Sequence, residues 1–156
     1  MSVDVRSEIE IARPRADVAV YAADPDNATA WYANINRVEW QTSPPLAVGS
    51  RVAFDARFLG RRLSYTYEIA ELVPGERLVM RTADGPFAME TTYEWTDARS
   101  GTRMVLRNHG DPRGFAKFAG PMIEGAMRRA NAKDLAQLKK ILETDTETGR
   151  DRTSVS

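Results

Sequence analysis

The chain has 156 residues, of which 42% are hydrophobic, so it is long enough to bury the core of one domain. It contains no cysteine, which excludes disulfides, thiolate metal sites and a cysteine nucleophile. Lysine plus arginine and aspartate plus glutamate both number 22, and no long run of one charge occurs, which argues against a nucleic-acid-binding arm or a polybasic membrane anchor.

The amino-terminal segment MSVDVRSEIEIARP carries charge where a signal peptide would need an apolar stretch. No later window approaches the apolar length of a membrane span. We therefore expect a soluble cytoplasmic protein with no nucleic-acid partner and no stable membrane insertion, present as a monomer or a weak homodimer.

The first predicted element is a strand over VDVRSEIEIA, where every second residue from Val5 to Ile11 falls on one side. Residues 13–35 then predict two short helices, because Pro14 suits a first helical turn and the DPDN run ends one helix and caps the next. A second strand is predicted over RVEWQT, near residue 40.

Glycines then separate five segments that are rich in β-branched and aromatic residues, namely RVAFDARFL, RRLSYTYEIAEL, ERLVMRT, PFAMETTYEW and TRMVLRNH. Connections this short imply hairpins, so we expect the strands to run antiparallel in sequence order.

From Pro121 to Glu143 the pattern becomes helical, with Ile123, Met127, Asn131, Leu135, Leu138 and Leu142 on one face. This helix is long enough to cross a sheet. The prediction is therefore an α+β fold in which a seven-stranded antiparallel sheet curls around a long C-terminal helix. We expect one domain over residues 1–144 and a disordered, polar tail over residues 145–156.

The faces of the predicted strands follow from their two-residue period, and the inward face contains unusually many polar side chains. The inward positions are Val52, Phe54, Phe58, Leu63, Tyr65, Tyr67, Ile69, Leu78, Met80, Phe87, Met89, Thr91, Tyr93, Trp95, Met104, Leu106 and Asn108. Because unpaired buried polar groups are costly, the cluster favours a cavity that holds water or a ligand. In the alternative, tyrosine hydroxyls reach the surface at strand ends, and Asn108 and Asn131 bond to backbone.

The order of these elements resembles the helix-grip fold of the START-like and polyketide cyclase/dehydrase superfamily, to which the birch pollen allergen belongs. The matching features are SEIEIARPRADVAVYAADPDNATAWY, PPLAVGSRVAF, the hairpin YEIAELVPGERLVMR with its Pro-Gly turn, YEWTDARSGTRMVLR and the closing DLAQLKKILE. The resemblance implies a sheet wrapped around the last helix, with a ligand cavity whose mouth is framed by the short helices and strand loops.

The resemblance also implies that Trp31 lies beside this mouth, although a helix-to-sheet packing role is an alternative. From the inward faces and the resemblance together we predict a binding site for a small hydrophobic molecule. Its residues are Trp31, Phe54, Phe58, Tyr65, Tyr67, Met80, Phe87, Met89, Tyr93, Asn108, Phe118, Ile123, Met127 and Asn131.

Residues 114–123, GFAKFAGPMI, place Phe115, Phe118 and Met122 around Pro121, a residue that breaks or kinks helices. We interpret this segment as a mobile gate over the cavity, and a satellite apolar cluster is the alternative. Two arginine pairs, residues 61–62 and 128–129, are interpreted as ordinary surface charge.

A search for reactive groups is mostly negative, since HExxH, P-loop, GxSxG and dinucleotide motifs are absent from the sequence. One histidine and no cysteine predict no metal site, and no cofactor is expected. His109 is predicted to point outward, as are Glu90 and Glu94. Tyrosines 65, 67 and 93 are candidates to donate hydrogen bonds to ligand carbonyls, with Glu124 or Asn131 opposite them on the helix.

Three functions stay open at this point. The first is a carrier or binding protein for a hydrophobic or aromatic small molecule. The second is an enzyme of polyketide cyclase or dehydratase type that uses the same cavity. The third is a protein-interaction module similar to co-chaperones of this superfamily. Fold alone does not choose among them.

Overall fold

A computed structural model of the protein describes residues 2–85, 87–111 and 120–154, with side chains up to residue 144. In chain order the elements are β1 (Val3–Ile11), α1 (Arg15–Ala23), a 3₁₀ turn (Pro25–Asn27), α2 (Ala28–Trp31), β2 (Ile35–Trp40), β3 (Arg51–Phe58), β4 (Arg61–Val73), β5 (Arg77–Asp84), β6 (Ala88–Ala98), β7 (Gly101–Asp111) and α3 (Gly120–Ser154). This order confirms the predicted succession of strands and helices.

The strands form one antiparallel sheet in the order β1-β7-β6-β5-β4-β3-β2. Consecutive strands from β2 to β7 are neighbours, as hairpin connections require. β1 joins the opposite edge, where Val3 lies opposite Gly110 and Ile11 opposite Thr102. The sheet curls into a half-barrel with the short helices inserted between β1 and β2. The predicted α+β helix-grip architecture is therefore confirmed.

The main core lies between the sheet and α3. The helix buries Ile123, Asn131, Asp134, Leu135, Leu138 and Leu142, which recur at steps of one, three, four or eight residues and so face one side. On the sheet, Trp95, Met104 and Leu106 are fully buried and belong to the same cluster as the leucines of the helix. Burial of these large apolar side chains is the main source of stability and holds α3 across the concave face.

The convex face is polar, as the alternation of the strands predicts. Arg81 and Glu90 form an ion pair at 2.6 Å, and Arg77 lies 3.5 Å from Glu94. Each such exposed pair contributes little, about 0 to 1 kcal/mol. The outward position of the two glutamates is confirmed, and it removes both carboxylates from the concave side.

Two boundaries differ from the prediction. β2 begins at Ile35, two residues before the predicted segment, and α3 begins at Gly120 and continues as helical backbone to Ser154. The division into a domain over residues 1–144 and a disordered tail over 145–156 stays a prediction.

Candidate functional site

A cavity of about 170 Å³ lies between the concave face of the sheet, α3 and the short helices. Aromatic side chains of β3, β4 and β6 form much of its wall. Phe54 stacks on Tyr65 at 5.5 Å between ring centroids, and Tyr65 contacts Tyr67 at 5.1 Å and Phe87 at 5.6 Å. The wall therefore presents ring faces and edges, which suit a flat apolar guest.

The mouth of the cavity is marked by its exposed lining residues, Asp24, Asn34 and Arg57. They come from the end of α1, from the connection between α2 and β2, and from the end of β3. A backbone hydrogen bond of 2.9 Å from the Arg57 N–H to the Asn34 carbonyl joins two of these segments. The cavity therefore opens beside the short helices.

Twelve of the fourteen predicted ligand-binding residues line this cavity, Trp31 does not, and Phe118 lies outside the described residues. Those that line it are Phe54, Phe58, Tyr65, Tyr67, Met80, Phe87, Met89, Tyr93, Asn108, Ile123, Met127 and Asn131. The structure thus brings together side chains that are up to 77 positions apart, from Phe54 to Asn131. Their role in binding stays a prediction.

Trp31 is placed in the core and not on the cavity wall. It is 1% exposed, and its ring packs against Tyr32 at 4.1 Å and Tyr93 at 5.8 Å. The large indole is better shielded from water in the core cluster than at an open mouth. The packing interpretation of Trp31 is therefore the one that the structure favours, and its neighbour Tyr32 lines the cavity instead.

The predicted gate falls mainly outside the described residues, since Phe115 and Phe118 lie between residues 111 and 120. Met122 is described and is 54% exposed. Glu124 does not meet the tyrosines, because its carboxylate accepts a hydrogen bond of 3.3 Å from the Asp4 backbone N–H. His109 pairs in register with Asp4 and Glu90 and is not among the residues that line the cavity.

A chain of hydrogen bonds runs along the sheet wall of the cavity. The Thr91 hydroxyl donates to Asn108 Oδ1 at 2.8 Å and lies 2.9 Å from the Tyr67 hydroxyl. Since Thr91 has one hydroxyl proton, Tyr67 must donate to Thr91. The direction of the chain fixes the Asn108 amide, whose oxygen is thereby used within the wall.

Sequence reasoning missed two polar residues of the site. The Tyr32 hydroxyl is hydrogen-bonded to the Tyr93 hydroxyl, which ties the end of α2 to β6. Asp134 is 3% exposed, lines the cavity, and accepts a hydrogen bond of 3.0 Å from the Ala33 backbone N–H. The sequence offered one signal for Asp134: it is an acidic residue between Asn131 and Leu135, two residues of the helix face that is predicted to be buried.

The fold and the cavity agree with the result of comparing the sequence with models of known protein families. The model described as polyketide cyclase / dehydrase and lipid transport matches residues 2–143. The chain belongs to this family. A search of curated proteins finds no match to the chain.

Solved structures share the fold of this family member at low sequence identity. The protein TTHA0849 from Thermus thermophilus is 20% identical, with a TM-score of 0.75, and the match covers 88% of this chain and 95% of that one. The Zhui aromatase/cyclase from Streptomyces sp. R1128 is 17% identical, with a TM-score of 0.73 over 92% and 94% of the two chains. At these identities the likeness establishes the fold alone.

Within the described ranges, no helix of this family member is long and apolar enough to cross a membrane.

Burial controls the protonation of the site. It raises the pKa values of the Tyr32, Tyr65, Tyr67 and Tyr93 hydroxyls above their ordinary value of 10.0. These tyrosines therefore stay neutral at physiological pH and act as hydrogen-bonding groups. Burial likewise raises the pKa of the Asp134 carboxyl from 3.8 to about 6, although the Ala33 N–H and the charge of Lys133 act in the opposite direction.

The substitution Asp134→Asn is expected to gain stability relative to the wild type as pH rises from about 4 to about 6. Over this range the folded protein still holds a proton that the unfolded chain has released, so the free energy of unfolding of the wild type falls by an amount on the order of 1 kcal/mol. Asparagine lacks this titration and keeps an oxygen for the Ala33 N–H. Urea unfolding of both proteins at several pH values measures the difference.

The matched control is Asp134→Ala, which also removes the titration but leaves the Ala33 N–H without its partner. It should be less stable than Asp134→Asn at every pH. A stability difference between wild type and Asp134→Asn that does not change with pH would contradict the assignment of a raised pKa.

Proposed function

We propose that the protein binds a small molecule with an apolar or aromatic body and a polar group inside the cavity, as a carrier or binding protein. The observation that carries this proposal is a hollow whose wall combines stacked aromatic rings with a few placed polar groups. Sites for small molecules are usually built in this way.

The size of the cavity supports a function in binding. At roughly 24 cal/mol per Å³, a dry void of about 170 Å³ would cost about 4 kcal/mol, a large part of a typical stability of about 5 to 15 kcal/mol. A cavity of about 150 Å³ holds one benzene molecule. The enclosed space is therefore suited to one aromatic ring, and a larger guest would extend through the mouth.

The hydrogen-bond chain supports a guest with a polar group. Tyr67 and Thr91 are satisfied within the wall, so they need no help from a ligand. The Asn108 amide nitrogen forms no hydrogen bond to the described residues and lines the cavity. A ligand oxygen or an ordered water is its natural partner.

An enzyme of cyclase or dehydratase type is the second candidate, and Asp134 is the observation that favours it. A buried carboxyl with a pKa of about 6 is suited to exchange protons near neutral pH. The structural neighbour from Streptomyces is named as an aromatase/cyclase. Loss of turnover with retained binding in Asp134→Asn would support the enzyme over the carrier.

The test of binding is a fluorescence titration with N-phenyl-1-naphthylamine, a neutral aromatic probe that becomes bright in apolar surroundings. The expected result is saturable binding of one probe molecule per chain. Absence of saturable binding, or binding that persists unchanged after the protein is unfolded in urea, would contradict the proposal.

A further inference from the structure

We infer that Asn131 determines specificity in this cavity, and that it selects neutral ligands that carry a carbonyl oxygen over carboxylates and over plain hydrocarbons. This inference rests on the proposed function and names the chemical class of its ligand. It depends on one side chain of α3 and on the distribution of charge around the cavity.

Asn131 is a buried polar residue whose amide is not fully used by the protein. It is 6% exposed and lines the cavity from the helix side. Its Nδ2 atom is buried and has no hydrogen-bond partner in the described part of the chain. A buried N–H donor without a partner is unfavourable, so an acceptor brought by a guest would be bound with a real gain.

The partner of this nitrogen must be an acceptor. An amide N–H₂ group donates two hydrogen bonds and accepts none, and a carbonyl oxygen accepts two without adding a proton that needs its own partner. Across the cavity, the Asn108 oxygen is already occupied by the Thr91 hydroxyl, so this side chain also offers its nitrogen. The two amide nitrogens therefore favour an acceptor oxygen.

The charges around the cavity disfavour an anion. Its charged lining residues are Asp24 and Arg57, which are exposed at the mouth, and Asp134, which is buried. A ligand carboxylate placed deep in the cavity would lose its water without gaining a cation, and it would meet the Asp134 carboxyl. Burial of a charge on these terms is strongly unfavourable.

The experiment uses three ligands of one ring and similar size: acetophenone, ethylbenzene and benzoate. Titrations followed by ¹H–¹⁵N NMR at pH 7 give their dissociation constants. We expect acetophenone to bind about tenfold more tightly than ethylbenzene, as one buried hydrogen bond allows, and at least about a hundredfold more tightly than benzoate. Acetophenone should also shift the side-chain amide signals of Asn131.

The matched variants are Asn131→Leu and Gln137→Leu. The first removes the buried amide, and the second removes an exposed amide on the outer side of the same helix. Asn131→Leu should still bind ethylbenzene but lose the tenfold preference for acetophenone. Gln137→Leu should keep the preference.

Four results would overturn the inference. If wild-type protein binds acetophenone and ethylbenzene equally, or if Asn131→Leu keeps the preference, Asn131 does not select the ligand, and the proposed binding function still stands. Unshifted Asn131 amide signals at saturation with acetophenone have the same consequence, and they do not depend on any variant. If none of the three ligands and no neutral probe binds, the proposed function fails as well.

Discussion

Ala56→Phe is expected to abolish binding of N-phenyl-1-naphthylamine, with a dissociation constant raised at least about a hundredfold. Ala56 is an inward residue of β3, is 8% exposed and lines the cavity. A phenyl ring on this side chain would fill much of a space of about 170 Å³, because a cavity of about 150 Å³ is the size that holds one benzene molecule. The ring would therefore occupy the position of the guest.

Stability distinguishes this blocking effect from simple damage. A ring that fills an existing void buries apolar surface, so the melting temperature of Ala56→Phe should be unchanged or higher. The matched control is Ala53→Phe, on the same strand but on the other face of the sheet, opposite Glu39 and Thr66. It should bind the probe as the wild type does. Full binding by a folded Ala56→Phe protein would show that the probe lies elsewhere.

Gly110→Ala is expected to destabilise the protein by at least about 3 kcal/mol or to prevent folding. Gly110 has a φ of +151°, and a Cβ atom there would lie 2.8 Å from Met89 Cα and would also overlap the Ala88 carbonyl oxygen. Both contacts are with backbone of the neighbouring strand β6, which cannot move aside without breaking the sheet. Chemical unfolding measured by circular dichroism gives the loss.

The control for this prediction is Gly125→Ala on α3, where the nearest atom to an added Cβ is Arg129 Nη1 at 3.5 Å. A helical alanine without a clash should raise stability by about 0.5 to 1 kcal/mol. The prediction for Gly110 is wrong if Gly110→Ala unfolds at the same denaturant concentration as the wild type. Gly110 matters to the site because it lets β7 approach β6 where Met89 and Asn108 line the cavity.

The sequence predicted the architecture well because the strands alternate regularly. In PFAMETTYEWTD, Met89, Thr91 and Tyr93 were assigned inward from the two-residue period, and all three line the cavity. The same period placed Glu90 and Glu94 outward, where they pair with arginines. When one face of a strand is buried and the other is exposed to solvent, the alternation of apolar and polar residues fixes the direction of each side chain.

The roles of the residues that sequence reasoning missed depend on contacts between elements that are distant in the sequence. α2 has four residues, so the directions of Trp31 at its end and of Tyr32, which follows it, depend on how the helix packs and not on a pattern. Asp134 lies on a regular helix, where its buried position could be predicted. Its hydrogen bond with the Ala33 N–H is a long-range contact, and the sequence pattern does not predict it. Sequence patterns fix which way a side chain points more readily than which distant group it meets.

The most direct test of the central claim, a hollow that accepts a guest, uses the methionine methyl groups. Met80, Met89 and Met127 line the cavity, whereas Met104 is fully buried in the solid core and Met122 is 54% exposed. In protein labelled with ¹³C at the methionine methyls, saturation with N-phenyl-1-naphthylamine should shift the first three signals and give intermolecular nuclear Overhauser effects to them. The signals of Met104 and Met122 should stay in place. Effects confined to Met122, or an equal shift of the signals of these five methionines, would contradict a guest inside the sheet.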